Sequence, residues 1–600
     1  MTAKRFVLLA LGAVLLACQS SNNSKRIGID NDTWLFAFDS SNVGIEQHWY
    51  SDSASRSGWT RSRSGYWPDI DGRDYDGAGW YASTFTIQDT ADRQAIFFGG
   101  VDDNAEVWID GTHLGSHEGY DESFYFELPR LRSGEHTVVV RVLDLAGPGG
   151  LYKPVKVVKT GDVNNLLKST FADEHARPSA DWVRNAVIYE VYLRSFSKEG
   201  TFKGLQKRLP ELKALGATVL WLMPIQPVGE LGRKGKLGSP YAVQDYYGIN
   251  FEFGKLDDFK SLVAAVHNEG MKIIIDLVAN HTSWDSNLMF DHPEWFARNK
   301  EGAIVSPNAD WWDVAQLDYR HHELRKYMIH MMTYWVRDVG IDGFRCDVAD
   351  VVPLDFWETA REELDGIKPI MMLAEGKNPE DHIKAFDLTY SWNFYKVLAD
   401  IVKGDKSVNV FDQKLERERL EYPIGSLRLR FISNHDKNVQ DSPAVRRYTK
   451  AGAQAAAVWL FTFPGVPLIY NGDEIGNPKK LSLTDRVAID WSKGKDVRQL
   501  YTWLIHLRNE HRALQQGEYR RVQCSDSTRV FAFERKSGND VVDVVINLSK
   551  DRRIVTMASD HDLVNVGTGK TLSPEKKKVQ YTLAPYGFCI LTPVPRKEKP

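Results

Sequence analysis

Between residues 186 and 470, eight short apolar runs of strand type alternate with helical stretches, and this alternation leaves few folds open. The runs are 186–192, 218–222, 273–278, 341–347, 370–375, 385–388, 429–433 and 466–470. Helical spacing occupies the gaps, for example at 204–215 and 256–268. Strand followed by helix, repeated, builds a parallel sheet with its helices outside, and eight repeats close a (β/α)₈ barrel. The predicted fold is therefore α/β, a TIM barrel over 181–512. A long irregular excursion after the third strand, 282–318, predicts an inserted subdomain.

A chain of 600 residues is too long for one core, and its ends follow different rules. From 29 to 159, apolar and polar residues alternate in short runs broken by Gly, Asp and Asn, with Asp110-Gly111 as a hairpin signal. This predicts an N-terminal β-sandwich, joined to the barrel by a polar linker at 160–180. Short alternating runs return over 513–596 and predict a C-terminal β-sandwich. The formal net charge is −4, which excludes a nucleic-acid footprint.

Lys4 and Arg5 precede an apolar run at 6–17 that ends at Cys18. A charged start and a short apolar run read as an export signal, 1–17, too short for a permanent membrane span. Leu15-Leu16-Ala17-Cys18 resembles a bacterial lipobox. Cys18 is then the lipidated first residue of a tether at 18–28, and the lipid is the only expected membrane contact. Gln19 follows, where an Asp could signal inner-membrane retention, so the expected location is the outer membrane. The alternative is plain secretion with Cys18 discarded. Of the remaining cysteines, Cys524 and Cys589 could pair in an oxidising compartment, and the spacing offers no zinc motif.

Chemistry in such barrels gathers at the C-terminal ends of strands. Polar residues stand there against apolar runs: Asp276, Asn280 and His281 after the third, Arg345 and Asp347 after the fourth, Glu375 after the fifth, and Asn434, His435 and Asp436 after the seventh. Carboxylates clustered in a closed site are costly unless paired or used.

At these residues the chain resembles the α-amylase family of glycoside hydrolases. The motifs are Asp276-Leu277-Val278-Ala279-Asn280-His281, Gly343-Phe344-Arg345-Cys346-Asp347, Glu375 after Leu373-Ala374, and Asn434-His435-Asp436. Val314-Ala315-Gln316-Leu317-Asp318 and the run 465–474 resemble two further signatures. The run 99–111 resembles the galactose-binding-like modules joined to many such enzymes.

The family resemblance implies retaining hydrolysis of α-1,4-glucosidic bonds in starch-like glucans and maltooligosaccharides. It makes Asp347 the nucleophile, Glu375 the general acid/base and Asp436 a stabiliser of the transition state. It implies that Tyr241, His281, Arg345, Asn434 and His435 bind substrate, with Arg345 keeping Asp347 ionised. No cofactor is required. Calcium is an option at Asn280, although Ser197–Thr201 is too poor in carboxylates for the family's other calcium loop. Asp350 and Val351 stand where many members carry Lys-His. Ala242 follows Tyr241 where exo-acting members carry Asp, so internal cleavage is expected unless Arg233 or Lys234 closes the cleft. Two alternatives are a neopullulanase or cyclomaltodextrinase-type hydrolase and a non-catalytic glucan-binding protein.

Overall fold

The computed structural model describes residues 29–594 apart from 74, 89, 121 and 146, so the calls for a signal and for lipidation at Cys18 lie outside the described residues. Two compact units divide at Lys168 and Ser169. The first contains a six-stranded and a three-stranded sheet. Phe36, Tyr81, Val107 and Val140 from the larger sheet share a core with Ile96, Phe98, Phe124 and Val155 from the smaller one, which makes a sandwich. Its longest ladder pairs Gly77–Ile87 with Gly134–Asp144 antiparallel.

The second unit holds a closed barrel of eight parallel strands. They are Ile188–Val191, Val219–Leu222, Lys272–Leu277, Gly343–Cys346, Met371–Ala374, Leu388–Tyr390, Leu427–Phe431 and Val466–Tyr470. Closure comes from pairing of the first strand with the last, Ile188 opposite Leu468. The α/β barrel class holds, and helix Leu256–Asn268 has its expected limits. Two elements differ. The sixth strand is Leu388–Tyr390 rather than 385–388, because Asp387 is buried as an anchor: its carboxylate accepts from Met372 N at 2.9 Å and Arg361 Nη1 at 2.7 Å. The helical run at 204–215 is split into Phe202–Gln206 and Leu209–Leu215, with Pro210 near the start of the second, where its missing N–H costs no helical bond.

The excursion after the third strand is zipped at its base. His281–Ser283 pairs antiparallel with Val314–Gln316, His281 opposite Gln316. This short ladder returns the chain to the barrel mouth and brings Trp311 and Asp313 beside His281.

The C-terminal strands form a six-stranded sheet and a two-stranded one. Alternate residues divide between two cores. Val530, Ala532, Val545 and Leu591 pack with Val555, Val579 and Tyr581 of the small sheet. Phe531, Phe533, Val544 and Ile546 join the barrel's outer core. Cys346, Cys524 and Cys589 are free, so the pairing of Cys524 with Cys589 is not formed. Cys589 lies in the sandwich core, while the Cys524 thiol sits 3.4 Å from the Asp526 carbonyl. Among the described residues no helix is long and apolar enough to cross a membrane.

Candidate active site

Strand parity decides which side chains reach the barrel mouth, since successive residues point to opposite faces. Ile188, Ile274, Met371, Leu373 and Leu429 fill the barrel interior. Tyr189, Ile275, Phe344 and Met372 turn to the surrounding helices. The inward phase, continued toward the C-terminal ends, arrives at Glu190, Asp276, Arg345, Asp347 and Glu375. An interior that is apolar below thus ends in a charged layer.

Arg345 is the hub of that layer and is fully buried. Its Nη1 donates to Asp347 Oδ1 at 2.8 Å and to Asp276 Oδ1 at 2.9 Å. Its Nη2 lies 2.9 Å from Glu375 Oε2 as a charge contact. The guanidinium also rests 5.2 Å from the Trp221 ring. It is fully buried behind the open cleft, where it aligns the carboxylates that line it.

Arg345 is the cation that favours the ionised form of Asp347, and it works against burial. Burial pushes Asp347 well above the usual carboxylate range; Arg345 opposes this, while Glu375 and Asp276 add to it. One guanidinium serves three carboxylates, so their mutual repulsion is only partly offset. Glu375 Oε2 additionally accepts from Val348 N at 2.8 Å. Val348 itself holds φ 38°, a left-handed conformation costly for a β-branched residue.

His435 is held between carboxylates. Its Nδ1 is 2.5 Å from Glu190 and its Nε2 is 3.3 Å from Asp436. Burial opposes the charged form, but Asp436 and Glu190 outweigh it and raise His435 to about 9. As an imidazolium it donates from Nε2 to the Tyr241 hydroxyl at 2.7 Å, and that hydroxyl donates to Asp276 at 3.1 Å. His281 is the opposite case. Burial, opposed by a bond to the Tyr241 backbone and aided by the Lys234 charge, lowers it to about 4, so it is neutral.

Asp347, Glu375, Asp436, Tyr241, His281 and His435 all line one cleft of about 360 Å³. Asn434 does not. It is the N-cap of helix His435–Gln440, its Oδ1 accepting from Lys437 N at 2.8 Å, and it is fully buried. Asn280 is buried too: its side-chain Nδ2 is 3.3 Å from His281 Nδ1 and its backbone carbonyl accepts from Leu317 N.

Lys234, named in the sequence as a side chain that could close the cleft, is part of the lining; Ser239, Trp311, Asp313, Trp392, Lys437 and Gln440 also line it and escaped the sequence reading as site residues. The Trp311-Trp312-Asp313 cluster inside a polar excursion was a usable signal. So was Glu190, an acid within an apolar strand. Trp392 and Gln440 carried none.

Comparisons with known proteins extend the picture. Residues 166–313 and 309–516 match a family model described as the α-amylase catalytic domain, and 519–590 match the maltogenic amylase C-terminal domain. The solved maltogenic α-amylase AmyB of Thermotoga neapolitana is 33% identical, with a TM-score of 0.63, and the match covers 68% of this chain and 99% of that one. A cyclomaltodextrinase of Geobacillus thermopakistaniensis is 26% identical over 467 residues, 68% of this chain and 77% of the relative. Neopullulanase 2 of Thermoactinomyces vulgaris is 25% identical over 477 residues, 68% of this chain and 78% of the relative.

Proposed function

Given that the chain belongs to the α-amylase family of glycoside hydrolases and is a glycosidase, we propose that it hydrolyses α-1,4-glucosidic bonds, with retention, in short maltooligosaccharides and cyclic maltodextrins. One observation carries the reaction: Arg345 holds Asp347 and Glu375 on a single guanidinium at the mouth of the barrel. Two carboxylates side by side suit a covalent, two-step displacement, whereas inversion needs a wider gap for water. Asp347 attacks the anomeric carbon while Glu375 gives its proton to the departing oxygen. A glucosyl ester on Asp347 results. Glu375 then takes a proton from water, whose oxygen displaces Asp347 and completes hydrolysis. Asp436 and the imidazolium of His435 hydrogen-bond sugar hydroxyls, and neutral His281 does the same from the other wall.

The maltogenic-type C-terminal domain and the cyclomaltodextrinase and neopullulanase relatives support this reading better than internal cutting of starch. The test compares initial kcat/KM on β-cyclodextrin, maltotriose, pullulan and soluble starch. Preference for the cyclic and short substrates is expected. Fastest attack on starch, with early loss of iodine staining and viscosity, would restore the endo-acting alternative. No cleavage of any α-glucan would defeat both.

A further inference from the structure

One wall of the cleft is closed by a contact between two segments far apart in sequence. The segment after the second strand carries left-handed glycines at Gly232 (φ 73°), Gly235 (φ 62°) and Gly238 (φ 74°), which fold it tightly against its neighbours. A Cβ at Gly235 would meet Thr484 Oγ1 at 2.4 Å. Leu237 N donates to the Thr484 carbonyl at 2.9 Å, and Glu230 N donates to Asp285 at 2.8 Å. The segment is therefore braced at both ends.

At its centre, Lys234 Nζ sits 2.7 Å from Asp313 Oδ1 and donates to the Asp310 carbonyl at 2.8 Å. It also lies 4.3 Å from the centre of the Trp312 ring. Asp313 is 4% exposed, so its charge needs this cation: removing one partner of a buried pair leaves the other uncompensated. An ammonium has three donors, and Asp313 and Asp310 take two. The Lys234 side chain keeps 26% of its surface open and lines the cleft with Ser239, Tyr241, His281 and Trp311. Arg233, by contrast, is turned to the Gly229 carbonyl at 3.2 Å and Glu230 at 3.3 Å and does not line the cleft.

We propose that Lys234 determines chain-length specificity: clamped by Asp313, it straps the cleft and gives its third N–H to a hydroxyl of the terminal glucose of a short α-glucan. This deepens, and rests on, the proposed hydrolysis of α-glucans. Ala242 supplies no polar atom behind Tyr241, and the strap supplies one from another direction. A donor fixed before substrate arrives rewards a chain that ends there and obstructs one that continues.

The test is the ratio of kcat/KM on maltotriose to that on amylose. Lys234→Met keeps side-chain length without the charge. Because it strands the buried Asp313 carboxylate, the Lys234→Met/Asp313→Asn double variant is measured beside it, with melting curves on both. The ratio is expected to fall about tenfold, the size of one charge-assisted hydrogen bond, with longer products from amylose. A ratio unchanged in a folded variant, while the wild type cleaves α-glucans, overturns the role of Lys234 alone. A wild type inactive on every α-glucan overturns the functional reading as well.

Discussion

The residues at the barrel mouth work as one charge network, so single substitutions there have consequences set by what remains. Asp347→Asn removes the proposed nucleophile at almost constant volume, and turnover is expected to drop by roughly 10⁴ or more while the fold persists. Near-normal kcat in a preparation free of wild type would reject the assignment. Glu375→Gln withdraws the proton donor but leaves Asp347 in place. Its loss should be severe on maltotriose and much smaller on an α-maltosyl fluoride, whose leaving group needs no proton. Equal loss on both substrates would argue against an acid role. Much of this network was readable in the chain itself: Arg345 two residues before Asp347 puts both in the inward phase, as found. The side chains that close the cleft were less legible, because Lys234 and Asp313 are 79 positions apart, as their numbers show, and meet only after the excursion folds back.

Among the elements, the segments following the fourth and fifth strands are joined by two acids. Asp350, in the turn Ala349–Val351, accepts from Lys377 N at 3.0 Å and hydrogen-bonds Asp381, which opens helix Asp381–Lys384. The side chain of Asp350 is thus committed to another carboxyl and to the backbone of Lys377. Burial, then the charges of Asp350 and Glu380, push Asp381 up to about 8, with Arg428 opposing. The folded form therefore keeps a proton that the unfolded chain releases near pH 4. Stability from this contact is complete below that point and is lost as pH rises through about 8, at about 1.4 kcal/mol per pH unit where one proton separates the states. Asp381→Asn mimics the protonated acid. Its Tm relative to wild type is expected to improve steadily from pH 5 to pH 8, and a constant difference across that range would show that no proton is shared there.

For the whole molecule, the second unit is continuous because one face of the C-terminal sheet is core for the barrel's helices. Phe531 lies 4.7 Å from Phe411 and 5.9 Å from Phe463, ring centre to ring centre. Phe531→Ala is expected to cost about 3–5 kcal/mol, measured by denaturant unfolding, and to lower barrel and sandwich signals together. Two separate transitions would mean that the two parts fold independently. The other prediction concerns location. If Cys18 carries lipid, Cys18→Ser moves the protein from the membrane fraction to the soluble one. A wild type found wholly soluble outside the cell defeats the anchor.

What the sequence by itself determined was whatever depends on local period and on strand phase. Apolar runs separated by helices dictated eight parallel strands and their closure, and the alternation of faces carried Asp276, Arg345, Asp347 and Glu375 to one mouth. Tertiary structure decided how those groups share charge and what encloses them. Asn434 became a cap because a helix starts beside it and its first N–H groups need an acceptor. Arg345 became a hub because the fold places three carboxylates around one buried guanidinium. The strap between Lys234 and Asp313 exists only because a short ladder, His281–Ser283 against Val314–Gln316, returns a distant segment to the cleft. Local pattern carries no information about which remote segments will meet. Burial then makes such meetings binding, since a charge removed from water keeps whatever partner the fold has brought to it.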